Sequence, residues 1–234
     1  MNTYDLLQYL SRILTMLLVL PLHEAAHGFM AKKMGDDTAE LQGRITLNPF
    51  AHLDPIGSLL MVFTGFGWAK PVPINPMRMR KYRAGTALTA LAGPVSNLIA
   101  AFISGLIYNI LICFETFADA YVEYFYMGSV TPAACLLIIL QFLFSINVGL
   151  AIFNLIPLPP LDGFNVLRYF TSEKVDRWFY MHQREISYIF LIVILLITRL
   201  PYEYNFLSRI TGSVCDLLWN TVNWIPQKWG VLAS

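Results

Sequence analysis

The chain has 234 residues, of which 56% are hydrophobic and 13% charged, about half the roughly 25% charged share of an ordinary globular domain. This excludes a typical soluble protein, a disordered chain and a collagen. Sixteen basic and fifteen acidic side chains leave a net charge of +1, so no global field draws the chain to nucleic acid and no such partner is expected.

With mean hydropathy at +0.55 and one apolar run after another, the bilayer is the expected solvent. The first run, Leu6 to Met30, lacks a basic n-region and a small-residue cleavage site and reads as a retained span. Arg12 and Lys32 lie twenty residues apart, close to the ~30 Å hydrocarbon thickness at about 1.5 Å per residue, so both charges can snorkel to opposite interfaces. Ile56 to Phe66 is too short to cross and reads as re-entrant. Further spans are expected at Thr86–Ile112, Pro132–Ile156 and Ile186–Leu200. Beyond them Phe206–Trp224 is interrupted by Arg209 and Asp216, and Trp219, Trp224 and Trp229 favour an interfacial helix over an additional crossing within 203–234. Cys113, Cys135 and Cys215 are scattered, with no CxxC pair, and suggest neither a disulfide framework nor a thiolate metal site.

No Lys or Arg occurs between Ala84 and Leu167, and Glu115–Glu123 carries three acids, while basic residues cluster at Lys32–Lys33, Lys70–Arg83 and Arg168–Arg184. The positive-inside rule puts those clusters in the cytoplasm and the N-terminus and acidic loop outside. RNA or anionic-lipid binding is the alternative use of the basic segments. The expected fold is an all-α polytopic membrane protein of the cell membrane, with four to five transmembrane helices, a re-entrant segment and a short cytoplasmic β-hairpin or strand near the site. It reads as one domain over 1–234, with its core at about 14–169.

His23-Glu24-Ala25-Ala26-His27 is an HExxH pattern. Two imidazoles four apart share a helical face and can grip zinc, while the Glu between them can act as general base. Two His and a Glu in hydrocarbon are otherwise costly, and intramembrane ionisable residues mark function. The bland alternative is a polar pair filling a helix interface. Zinc needs a third protein ligand, and Asp36, Asp37, Glu40, His52, Asp54 and Asp162 are available. Asp162 is favoured, with His52 as main rival, because the prolines of Asn154-Leu155-Ile156-Pro157-Leu158-Pro159-Pro160-Leu161-Asp162-Gly163 forbid a continuous helix at the end of a span. Irregular backbone there should line a cavity.

HEAAH, Leu91-Ala92-Gly93-Pro94-Val95-Ser96-Asn97 and the NLIPLPPLDG segment together resemble the site-2 protease family of membrane-embedded zinc metalloproteases, over roughly Leu14 to Tyr169. Gly43–Pro55 and Phe66–Pro73 resemble its small bacterial branch, and no insertion long enough for a PDZ domain is present. The resemblance implies one zinc held by His23, His27 and Asp162, Glu24 as general base, and a transmembrane protein or peptide as substrate within the lipid bilayer.

Such a substrate must unwind before attack, and Glu40–Leu47 is a candidate strand edge to hold it, with a plain hairpin as the alternative. Asn147 and Asn154 share a face seven residues apart, and with Asn97 they could hold substrate backbone or an oxyanion, or act only as interhelical glue. His52 could bond substrate or cap its loop. His182 reads as a surface residue, and Met30, Met34 and Met61 as packing. A metal transporter or a non-catalytic helix-binding scaffold are the competing functions.

Overall fold

The computed structural model describes residues 3–64, 67–197, 201 and 204–223. Its first rod joins α1 (Thr3–Leu14) through a π-helical turn (Thr15–Val19) to α2 (Leu20–Met34). Pro21 has no N–H to give the carbonyl four residues back, and the ladder widens just before it, the Leu20 N–H reaching Thr15 O. Gly35, at φ 108°, closes α2 in the left-handed conformation glycine adopts without strain.

Residues 40–47 form no strand. A helical turn, α3 (Thr38–Leu41), ends at Gly43 with φ 63°, and the Arg44 N–H returns to Ala39 O at 2.8 Å. The glycine reverses the chain and consumes the N–H groups that a strand would offer. Among the described residues the β structure is confined to one antiparallel bridge, Leu53 with Ala69, beside Lys70 N–H to His52 O at 2.7 Å.

The short apolar piece is α4 (Pro55–Thr64), ten residues, or about 15 Å of helix, half of a hydrocarbon core. Asp54 caps its start by accepting from Gly57 N–H, and Arg12 Nη1 closes its end on Val62 O at 3.0 Å and Phe63 O at 3.3 Å. Then come α5 (Tyr82–Leu111), α6 (Glu115–Met127), α7 (Pro132–Asn154), α8 (Asp162–Phe170), α9 (Glu173–Ile197) and α10 (Phe206–Val222). The expected acidic loop is the helix α6. Its first turn carries Glu115, and Gly128 at φ 67° ends it; a carboxylate there suits the N-terminal end of a helix dipole.

Among the described residues three helices are long and apolar enough to cross a membrane: Tyr9–Met34, Tyr82–Leu111 and Pro132–Asn154. The stretch expected to cross at 186–200 is the apolar half of α9 as far as Ile197, and 198–200 lie outside the described residues. Of the C-terminal segment, α10 is described to Val222, while Phe66, Trp224 and Trp229 lie outside the described residues.

The middle of the bundle is α5, packed against α2, α7 and α8. Small residues make the approach possible: Ala101 is fully buried beside Phe144 and Val148, and a Cβ on Gly105 would come within 3.1 Å of the Phe144 ring. Close backbone packing of this kind is one of the main sources of association between helices apolar enough to cross a membrane. Trp219 of α10 closes this layer, its ring 5.0 Å from those of Tyr108 and Phe144.

Candidate metal centre

His23 and His27 lie one turn apart on the face of α2 that meets α5, and both are buried. The contact depends on Gly93, where a Cβ would lie 2.5 Å from His23 Cε1 and from His27 Cε1 and Nε2. Thr89, one turn earlier on α5, offers its carbonyl to His27 Nδ1 at 2.7 Å. A carbonyl only accepts, so Nδ1 carries the proton and the lone pair of a neutral imidazole sits on Nε2, facing inward.

The third group arrives from the far side of the chain. Leu155–Leu161, with prolines at 157, 159 and 160, turns the chain off α7, and α8 starts at Asp162. Gly163 lets that start abut the end of α7, since a Cβ there would fall 2.2 Å from Leu155 O. Asp162 Oδ2 ends 3.3 Å from the Nε2 of each histidine, and the two Nε2 atoms are 3.0 Å apart. Buried Oδ2 has no hydrogen-bond donor of good geometry among the described residues.

These spacings fit a metal. Ligand atoms about 2.0–2.1 Å from a tetrahedral zinc lie roughly 3.3–3.4 Å from one another. A carboxylate oxygen and imidazole lone pairs converging at 3.0–3.3 Å call for a cation between them, and two His with one carboxylate is a donor set that catalytic zinc uses, with a fourth position left open. Among the described residues, His23, His27 and Asp162 are the group able to hold a metal ion.

Glu24 projects from the next position of α2, and its Oε2 accepts the Val72 N–H at 2.9 Å. The other acids are occupied elsewhere. Asp37 pairs with Arg78 at 2.7 Å, Glu40 with Lys32 at 2.6 Å, and Asp54 caps α4. Asp36, with no exposed surface, accepts from Asn75 N–H at 2.6 Å and Thr38 N–H at 3.0 Å. Burial pushes its carboxyl up, but the bonds from Thr38 and Asn75 and the charge of Arg78 outweigh that and hold its pKa below the ordinary value.

His52 is not part of the cluster. It is fully buried, and its Nε2–H donates to Thr46 O at 2.8 Å, tying down the loop that Asn48 and Pro49 open. Asn97 is fully buried one turn beyond Gly93 on the same face of α5, and neither atom of its amide has a partner among the described residues. Asn147 and Asn154 donate back to their own helix, to Leu143 O at 2.8 Å and Leu150 O at 2.9 Å. His182 is exposed and stacked on Trp178.

Sequence reading passed over the Thr89 carbonyl, the Val72 N–H and the steric roles of Gly93 and Gly163. The glycines carried a signal, each standing next to a motif residue in a helix where alanine would be the better helix former. So did Pro71 and Pro73, which leave Val72 the one N–H of its tripeptide.

Residues 11–198 match peptidase family M50. The chain is 41% identical over 167 residues, 70% of its length and 69% of the relative's, to "Putative zinc metalloprotease YwhC" of Bacillus subtilis (strain 168). It is 28% identical over 69% of its length to "Putative zinc metalloprotease Rip2" of Mycolicibacterium smegmatis, of which the match covers 57%. No solved structure matches the chain. With the family match running from the first rod into α9 and taking in all three converging residues, the chain belongs to peptidase family M50, the site-2 proteases, and is a zinc metallopeptidase.

Proposed function

We propose that the protein is an intramembrane endopeptidase, hydrolysing peptide bonds within or next to the transmembrane segments of membrane-protein substrates. The observation that carries this reading is the convergence of His23, His27 and Asp162 on helices of membrane-spanning character. Within the candidate span Tyr9–Met34, His27 is about 10 Å and His23 about 16 Å of helix from the Met34 end. Lys32 and Lys33 stand at that end, so the positive-inside rule supports a site opening to the cytoplasm, with the N-terminus outside and the chain multi-pass in the cell membrane. Residues 1–234 act as a single membrane domain.

His23, His27 and Asp162 would hold the zinc, which when bound supplies a Lewis acid for the scissile carbonyl and makes water a better proton donor. The Thr89 carbonyl fixes the tautomer of His27. Gly93 keeps the space beside the imidazoles clear. Glu24 is the proton carrier: with Oε2 held by the Val72 N–H, Oε1 takes the proton of the attacking water and returns it to the departing amine. Asn97, with a fully buried and unpartnered amide, and the remaining N–H groups of Asn147 and Asn154 are the groups for substrate backbone or developing oxyanion. His52 supports the loop that leads to α4.

Changing Glu24 to Gln keeps a hydrogen-bonding side chain of the same shape but cannot carry the proton. Cleavage of a membrane-anchored reporter should fall by about 10²–10⁴-fold while zinc content stays near that of the wild type. Undiminished cleavage contradicts the assignment, and zinc flux through proteoliposomes in place of cleavage would make the cluster a transport site.

A further inference from the structure

We propose that Arg44 is a positioning residue for Glu24, acting through the backbone of residues 70–72. This rests on the reading of Glu24 as proton carrier. Arg44 Nη2 donates to Lys70 O at 2.8 Å and to Pro71 O at 3.2 Å, and the next N–H along the chain, that of Val72, is the one that Glu24 Oε2 accepts at 2.9 Å. One guanidinium therefore grips the two carbonyls immediately before the N–H that aims the carboxylate.

The local sequence makes that grip necessary. Pro71 and Pro73 have no N–H, so Val72 brings the only donor of the tripeptide, and the segment cannot be anchored there through its own ladder. Its other ties include the bridge of Ala69 to Leu53, the Lys70 N–H to His52 O, and Val72 packed with Ile45 and Ala39 around Gly28, where a Cβ would meet all three at 3.1–3.3 Å. The last tie fixes the side of Val72 that faces α2. Arg44 fixes the two peptide planes before it, and so the direction of its N–H. Lysine is a poor substitute, because a single ammonium on a flexible stem does not hold two successive carbonyls in a fixed plane. Gly43, at φ 63° with nothing within 4 Å of a Cβ, starts the turn that delivers Arg44 to this place.

The test uses the full-length protein in lipid nanodiscs with Arg44→Ala, Arg44→Lys, Val72→Pro and the Arg44→Ala/Val72→Pro pair. The first readout is amide hydrogen exchange of a peptide spanning 71–73, in which Val72 supplies the only amide. Exchange should quicken about tenfold in Arg44→Ala and less in Arg44→Lys, as expected for losing one hydrogen bond's worth of order. The second readout is steady-state cleavage of a membrane-anchored reporter alongside zinc content. Arg44→Ala should lower kcat about tenfold with KM within about twofold and zinc unchanged, and in the Val72→Pro background it should add nothing. Unchanged Val72 exchange, losses that multiply in the double variant, or loss of zinc together with kcat would each overturn the proposal. If the wild type cleaves no reporter, the peptidase reading fails, and the exchange arm still decides whether Arg44 sets the Val72 amide.

Discussion

At the scale of single residues, the centre is built as much from missing atoms as from present ones. The imidazoles of His23 and His27 can meet Asp162 only because Gly93 has no side chain, a methyl there falling 2.5 Å from both rings. Gly93→Ala should push the imidazoles apart and weaken zinc binding by about 10–100-fold, the range seen when groups supporting a metal ligand are lost. A zinc titration with a competing chelator measures it, and unchanged affinity would show that α5 can retreat. The buried Asp36 gives an acid-linked prediction. Its pKa is depressed in the fold, so the unfolded chain binds more protons between the two pKa values, and its contribution is present above the ordinary carboxylate value of about 3.9 and lost as pH falls through the folded one. Thermal unfolding in detergent at pH 7 and below pH 4 should therefore show a smaller acid loss in Asp36→Asn than in the wild type. The residues of the cluster were legible in the sequence: HEAAH states a helical spacing, and the LDG carboxylate follows prolines at the end of a span. Less was legible of the Val72 N–H and Thr89 carbonyl: Pro71 and Pro73 single out Val72 as a donor but say nothing of its partner, and a carbonyl looks alike in every residue.

At the scale of elements, lengths and caps decided more than periodicity. The expected strand at 40–47 failed because Gly43 sits where a helical turn can close on it, and Arg44, read as a strand residue, instead spans to Lys70 and Pro71. The acidic stretch after α5 reads as a loop by charge, yet Tyr121, facing the Tyr108 ring, gives α6 a face to pack with. The short apolar helix α4 was visible as a run too brief to cross, but its anchor was not: Arg12, read as an interfacial residue, closes its last carbonyls at 3.0 and 3.3 Å. Charged hydrogen bonds of this kind contribute about 1.5–3 kcal/mol. Arg12→Ala should therefore leave zinc content intact while amide exchange in α4 quickens more than in α5 or α7; equal exchange in all three helices would remove Arg12 as the anchor.

At the scale of the whole molecule, the fold brings together two ends of a long sequence separation. The early rod supplies two imidazoles, the central helix α5 supplies their floor and a carbonyl, and the irregular exit from α7 returns Asp162 to them. The helical class and three crossing-competent helices were readable from apolar runs, because hydrocarbon leaves a backbone few options. The convergence was readable in part from the proline-broken exit of a span, which favoured Asp162 over His52, and resemblance strengthened it; periodicity within a helix says nothing about which distant loop lies against it. The most direct measurement is metal content per chain of the detergent-purified protein beside its Asp162→Ala variant, with folding checked in both. About one zinc per chain is expected for the wild type, falling sharply in the variant, as a site of three protein ligands requires. A folded variant that keeps its zinc, or a folded wild type that binds none, would contradict the account.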